Sequence, residues 1–346
     1  MSFGERGLDE ALDCESTRGA YSTLFVQLDV ARLTTEGGRV TSELADRGVV
    51  FGGDPPRPFV VDPVPRLIEG AEWAGIEAGL RQRVKALNAF LEDVYGERRI
   101  VAEGAIPARV IEEAEWFEPA MAGMSGEAPV PRAQVAGPDL VRAPNAEWLV
   151  LEDNLRAPSG LTFALAAREA MVPMIASSGL APRRLAPALA ALERILASAA
   201  PEGIEHPRIV LLSDGPASSA FYEHCELCRV LGIPLATPEE LRRDGERLLL
   251  ESDGDAPVDV LYRRVDDERL TRSDGEPTQL GELLIEPLSA GTLGVANSPG
   301  TGIGDDKAVH PYVERMIKLY LGESPLLRSV PGYDLGEPDQ LAEALP

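Results

Sequence analysis

The chain has 346 residues, 44% apolar and 26% charged. That balance excludes wholesale disorder, collagen and an extended coiled coil, and leaves room for two or three folding units. Basic residues number 33 against 57 acidic ones, a formal net charge of −24, which disfavours nucleic acid and anionic membrane as partners.

Apolar residues recur at helical spacing from Gly19 to Arg47, and Gly37-Gly38 is expected to break this segment into two helices. A Pro-rich hinge, Gly52 to Pro65, follows. Glu72 to Tyr95 reads as a long helix with Ile76, Leu80, Val84, Leu87 and Leu91 in one stripe, Arg81, Arg83, Lys85 and Glu92 on the other face, and Gly96 at its end. Past a Pro/Gly-punctuated stretch, Val135 to Leu151 reads as a β-hairpin, then Leu161 to Ala176 and Arg184 to Ala200 as helices. After a linker at Pro201 to Pro207 the pattern becomes α/β. It has strands at Arg208–Ser213, Ile233–Ala236, Arg247–Glu251, Val258–Tyr262 and Thr292–Ala296, with helices Ala217–Leu231 and Leu280–Leu288, a Rossmann-like domain. A Gly-rich loop, Gly300 to Gly304, then leads into an amphipathic helix, Lys307 to Leu321.

Residues 1–13 carry acids where a secretory signal needs a basic end and an apolar core, and the uncharged run near Ala170 is too short to span a bilayer. Three cysteines build no disulfide framework in a chain of this length. A cytoplasmic location is the resulting expectation.

The sharpest local signal is the hairpin. A two-residue turn at Asn145-Ala146 sets Asp139 opposite Glu152, and period-2 alternation puts Asp139, Val141, Val150, Glu152 and Asn154 on one face, with Arg142, Leu149 and Leu151 on the other. Opposed carboxylates repel at such a distance, and a magnesium ion, which takes oxygen ligands, would compensate. Equally, the acids could face solvent or pair with Arg142 and Arg156.

The loop from Asn297 to Lys307 precedes a predicted helix, where backbone N–H groups attract anions. Asp306 and Ala308 depart from a Walker loop and Asp305 from a dinucleotide fingerprint, and a helix capped by Asp305 or Asp306 is the plainer alternative. Cys225 and Cys228 have redox or zinc spacing without a second pair. Arg263 and Arg264 close a predicted strand, where α/β sheets bind ligands.

Together these segments resemble the circularly permuted type 2 ATP-grasp proteins, related to the synthetase half of glutathionylspermidine synthase. The resemblance rests on Glu72-Trp73, the helix Leu80–Asn88, Asp139–Arg142, Leu151–Gly160, Tyr262–Asp267, Gly302–Val309, Tyr312 and Tyr320–Gly322. It implies an α/β (α+β) fold of circularly permuted ATP-grasp type. Residues 1–200 would form a helical region with the metal-binding portion, 201–300 a Rossmann-like substrate domain, and 301–346 the start of an ATP-binding portion whose remainder, a further nucleotide-binding segment, is absent.

The implied activity is ATP-dependent joining of a carboxylate to an amine through an acyl phosphate. Small carboxylate and amine or peptide substrates would be partners, with a second polypeptide completing the ATP clamp; a non-catalytic nucleotide- or peptide-binding subunit is the alternative. By resemblance, Asp139, Glu152 and Asn154 hold Mg2+ on ATP, and Arg156 neutralises the transferred phosphoryl. Lys307, Arg142, Gly302 and Gly304 contact the nucleotide, and Ser159, Arg263 and Arg264 the substrate.

Overall fold

The computed structural model describes residues 12–13, 16–17, 19–27, 29–52, 55–124 and 131–345. Helices α1 (Gly19–Gln27) and α2 (Val30–Asp46) are separated at Asp29, whose carboxylate caps α2 by accepting from Arg32 N–H. The break expected at Gly37-Gly38 does not occur. Gly37 instead lets the Pro-rich hinge approach, because a Cβ there would lie 3.2 Å from Pro63 Cγ. Helix α3 (Gly70–Tyr95) is the predicted long helix, but Arg83 faces inward, with its side chain fully buried against Asp153.

The hairpin consists of β1 (Asp139–Arg142) and β2 (Trp148–Glu152). Its turn differs from the expected one. Ala143 and Glu147 close a three-residue loop, with Ala146 at φ 65° in the left-handed region. This pairs Arg142 with Trp148 and Leu140 with Val150, one residue off the predicted register. A bulge at Leu151 then adds the residue back, and Asp139 does face Glu152.

Helices α4 (Leu161–Ser177) and α5 (Ala186–Ser198) follow as expected, leading into β3 (Ile209–Ser213), α6 (Phe221–Leu231) and β4 (Leu235–Ala236). Next come β5 (Leu241–Asp244), β6 (Arg247–Leu250), β7 (Ala256–Pro257), β8 (Val260–Arg264), α7 (Gln279–Ser289) and β9 (Gly294–Ala296). The sheet β9-β8-β3-β4 is parallel throughout, the Rossmann-like arrangement anticipated. Its strands alternate as a two-sided buried sheet must. Leu211, Val260, Tyr262 and Ala296 pack with α5, whereas Val210, Leu212, Leu261 and Val295 join the largest core cluster. β6 belongs to a separate antiparallel sheet with β5 and β7. That largest cluster also contains Leu87, Phe90 and Leu91 of α3 and the 303–317 segment, so one core joins the three regions named from the sequence.

The predicted Lys307–Leu321 helix is fragmented into a 3-10 turn, His310–Tyr312, one α-turn, Val313–Met316, and a π-turn, Ile317–Leu321. Beyond it β10 (Arg328–Ser329) adds in parallel to β2. Trp148 and Val150 thereby pack on Ile76 and Leu327, which seats the hairpin on α3.

Candidate functional site

The site lies where the end of β2 meets the C-terminal ends of the parallel strands, the edge at which open α/β sheets place ligands. A cleft of about 380 Å³ is lined there by Gly137, Asp139, Asn154, Arg156, Ser159, Asp266 and Asp305, among others. A larger groove of about 470 Å³ lies at the opposite strand edge, near Arg208, Ile209 and Ile233. Its walls mix aliphatic residues with Glu193, Arg208 and Asp253, and Arg208 is paired with Asp253.

The strand end is held from inside. Asp153 points into the core, where Arg83 Nε and Nη2 donate to its two oxygens at 2.7 and 2.6 Å. Burial pushes the Asp153 carboxyl up, but the bonds from Arg83 and His310 and their charges outweigh it and hold the group below the usual range. With residue 153 fixed inward, its neighbours Glu152 and Asn154 turn outward. Asn154 Nδ2 donates to Gly137 O at 2.9 Å, leaving the amide oxygen as the acceptor of that side chain.

Asp139, Glu152 and Asn154 supply only oxygen atoms, as a hard dication requires. Among the described residues no three His, Cys, Asp or Glu side chains could hold a metal ion by themselves. A dication here therefore draws on the amide oxygen, and on water or phosphate. The donor set fits Mg2+ on that basis. Lys307, two residues beyond the cleft-lining Asp305, places its ammonium on Glu152 Oε2, so that a cation offsets the charge at the strand end.

Arg156 lines the cleft with its guanidinium 4.2 Å from the Trp116 ring centroid and a donor on Asp266 O. Its backbone N–H and that of Leu155 donate to Asp305, at 2.5 Å for Leu155. Burial is the main force on Asp305 and raises its carboxyl to about 7, against the lowering effect of those two N–H donors. Ser159 is exposed at the rim.

Other expected contacts are placed elsewhere. Arg142 lies on the hairpin face opposite Asp139, as alternation along β1 dictates, and that face is the inner one. It pairs with Glu72 at 2.7 Å and stacks over Trp148, away from the cleft. Arg263 and Arg264 are buried instead of offered to substrate. Arg263 pairs with Glu268 at 2.5 Å and donates to Arg156 O, and Arg264 pairs with Glu223 at 3.1 Å and donates to Pro158 O. Each thus acts on the site through the 156–158 backbone it grips.

The glycines are packing residues. A Cβ at 302 would meet Glu268 Oε1 at 2.7 Å and Trp116 Cβ at 2.8 Å, and one at 304 would meet Leu155 Cδ1 at 2.5 Å. The Gly302 N–H is spent on Glu268, and those of Ile303 and Asp306 on nearby carbonyls. The stretch Thr301–Asp305 is a buried 3-10 turn and not an open phosphate cradle.

The remaining polar residues around the site were not assigned to it from the sequence. Glu223 accepts from the N–H groups of Gly160 and Thr162 and from Thr162 Oγ1. Asn297 donates to Val135 O and Leu155 O, both at 2.6 Å. His224 is buried against Ser213 at 2.8 Å, and desolvation lowers it to about 3. Cys225 and Cys228 sit on α6, both thiols pushed up by burial, Cys228 to about 12. No helix among the described residues is long and apolar enough to cross a membrane.

Comparison with known proteins supplies the family context. A protein of Frankia alni named putative glutamate–cysteine ligase 2-3 is 40% identical over 98% of this chain, which covers 41% of that relative. One of Frankia casuarinae, named putative glutamate–cysteine ligase 2-2, is 39% identical with the same coverage. An uncharacterized protein of Mycobacterium tuberculosis is 35% identical over 93% of this chain and 60% of its own length. The chain thus spans about two-fifths of the length of the Frankia relatives and three-fifths of the mycobacterial one. Residues 65–346 match the circularly permuted ATP-grasp type 2 family, and with the parallel sheet and the hairpin cleft in place the chain belongs to that family.

Proposed function

We propose that this chain is the metal- and substrate-holding part of an ATP-dependent ligase that joins a carboxylate to an amine through an acyl phosphate. The observation that carries the reading is the hairpin register. Asp139 faces Glu152 across β1 and β2, and Asn154 and Arg156 share one cleft with Asp139. Family membership supports the general activity, and the names of the Frankia relatives make an amino-acid carboxylate and an amino-acid amine the first substrates to try.

In this reading Asp139, Glu152 and Asn154 hold Mg2+, which when bound supplies charge neutralisation for the ATP phosphates. The chain's own groups do the rest. Arg156, braced on Trp116 and Asp266 O, presents a fixed positive charge toward the cleft, where charge on a transferred phosphoryl is stabilised without reorganisation. The buried Arg263 and Arg264 hold the backbone of residues 156 and 158, so that Arg156 and Ser159 keep their spacing. Pre-set geometry of this kind lowers the entropic cost of bringing two substrates together.

The experiment is calorimetric titration of ATP in Mg2+ and in EDTA against the chain and against a Glu152→Gln, Asn154→Ala double variant. Binding that needs Mg2+ and is lost in the double variant is the expected result. Equal affinity in both proteins overturns the metal assignment, and with it the phosphoryl chemistry.

A further inference from the structure

The chain has three lysines among its 33 basic residues, and one of them, Lys307, stands on an expected metal ligand. Its ammonium pairs with Glu152 although its side chain is 74% exposed, and Glu152 itself is 30% exposed. No apolar contact is needed to explain the pose, because the backbone sets it. Asp305 grips the N–H groups of Leu155 and Arg156, and Asp306 Oδ1 accepts from Ala308 N–H at 2.8 Å. Residue 307 is thereby anchored on both sides, next to the strand end that carries Glu152.

The choice of lysine is informative. Where this fold needs a permanent buried pair near the site it uses arginine: Arg83 with Asp153, Arg263 with Glu268, Arg264 with Glu223. The planar fork of arginine holds carboxylate rigidly, whereas lysine offers a compact, well-hydrated point charge on a flexible stem that leaves easily. Glu152 also faces Asp139 across the hairpin, and like charges in that position are destabilising unless offset.

We propose that Lys307 is a resident counter-ion that occupies Glu152 and competes with the divalent cation for it. The inference rests on the metal reading above, and deepens it: loading the site with a dication releases the lysine side chain from Glu152.

The test is Mn2+ binding by the chain without nucleotide, followed by the electron paramagnetic resonance of free Mn2+. The proteins compared are the unaltered chain, Lys307→Met, Lys307→Arg, Glu152→Gln and the double variant Lys307→Met, Glu152→Gln. Lys307→Met is expected to bind about two- to fivefold more tightly, the range an exposed ion pair commands, and Lys307→Arg to gain nothing. In the Glu152→Gln background the methionine substitution should have no effect.

Equal or weaker binding by Lys307→Met overturns the counter-ion role and leaves the metal reading standing. A gain that persists in the Glu152→Gln background also overturns it, because the effect is then a general one of a strongly acidic surface. Absence of bound Mn2+ in every protein, Lys307→Met included, overturns both. Binding that appears only on removing the lysine supports both.

Discussion

Replacing Arg83 by methionine removes one half of a pair whose side chains are 0% and 1% exposed, and leaves Asp153 charged and without its two-pronged partner. Breaking such a pair typically costs about 3–5 kcal/mol, most of it the desolvation of the orphaned charge. Adding Asp153→Leu removes that charge too, so the double variant should regain most of the loss despite lacking both residues. Urea unfolding followed by tryptophan fluorescence in a Trp73→Phe, Trp116→Phe background is a suitable assay, since the remaining Trp148 donates from Nε1 to Glu72 on α3 and reports on the hairpin's seat. The pH dependence sharpens the test. In the unaltered chain the Asp153 carboxyl is held below its ordinary value; its contribution is complete above that value and disappears as pH falls through the lowered one. Without Arg83 only His310 opposes the burial effect, so the folded value rises, and the variant should gain less stability than the unaltered chain as pH rises from acid. A single variant costing under about 1 kcal/mol, or a double variant less stable than the single, would refute the claim that this buried pair anchors the strand end.

Three further outcomes follow from the same geometry. Asp305 keeps its proton to about pH 7 in the folded chain but ionises at the ordinary carboxylate value when unfolded, so stability should fall as pH rises between those values. Asp305→Asn should flatten that slope by about 2 kcal/mol, allowing for water in the cleft, as read from urea midpoints at pH 5 and 8. Glu223→Gln should speed amide exchange at Gly160 and Thr162 by about tenfold or more, the worth of one charge-assisted hydrogen bond, and unchanged protection would mean the loop needs no buried carboxylate. Gly302→Ala should lower thermal stability by the equivalent of about 1–3 kcal/mol through overpacking against Glu268 and Trp116; a neutral result would overturn the close-packing role of this glycine.

How much was legible in the sequence depended on the range of the interactions involved. Helix α3 and the strands of the parallel sheet were readable because periodic apolar residues advertise them locally. The Asp139–Glu152 pairing was also predicted, but through two compensating departures: the loop is one residue longer than supposed, and the bulge at Leu151 restores the count. The hint lay in the strand itself, where an apolar Leu151 is exposed and a charged Asp153 is buried, a reversal that simple alternation cannot produce. Arg142 was read on the correct face, opposite Asp139, but that face is the one seated on α3, where Arg142 pairs with Glu72. The Gly302 and Gly304 loop was misread because glycine near a helix start signals either an exposed phosphate or close packing, and only the neighbours Glu268, Trp116 and Leu155, distant in sequence, decide between them. Arg263 and Arg264 pose the same difficulty: a strand-end arginine is a ligand contact if a pocket faces it and a clamp if carbonyls do. Here the carbonyls of Arg156 and Pro158 face it. Local patterning therefore read the pairing of Asp139 with Glu152, while the arrangement around it, with arginines that hold the loop and a lysine on Glu152, follows from partners between about 40 and 155 positions apart.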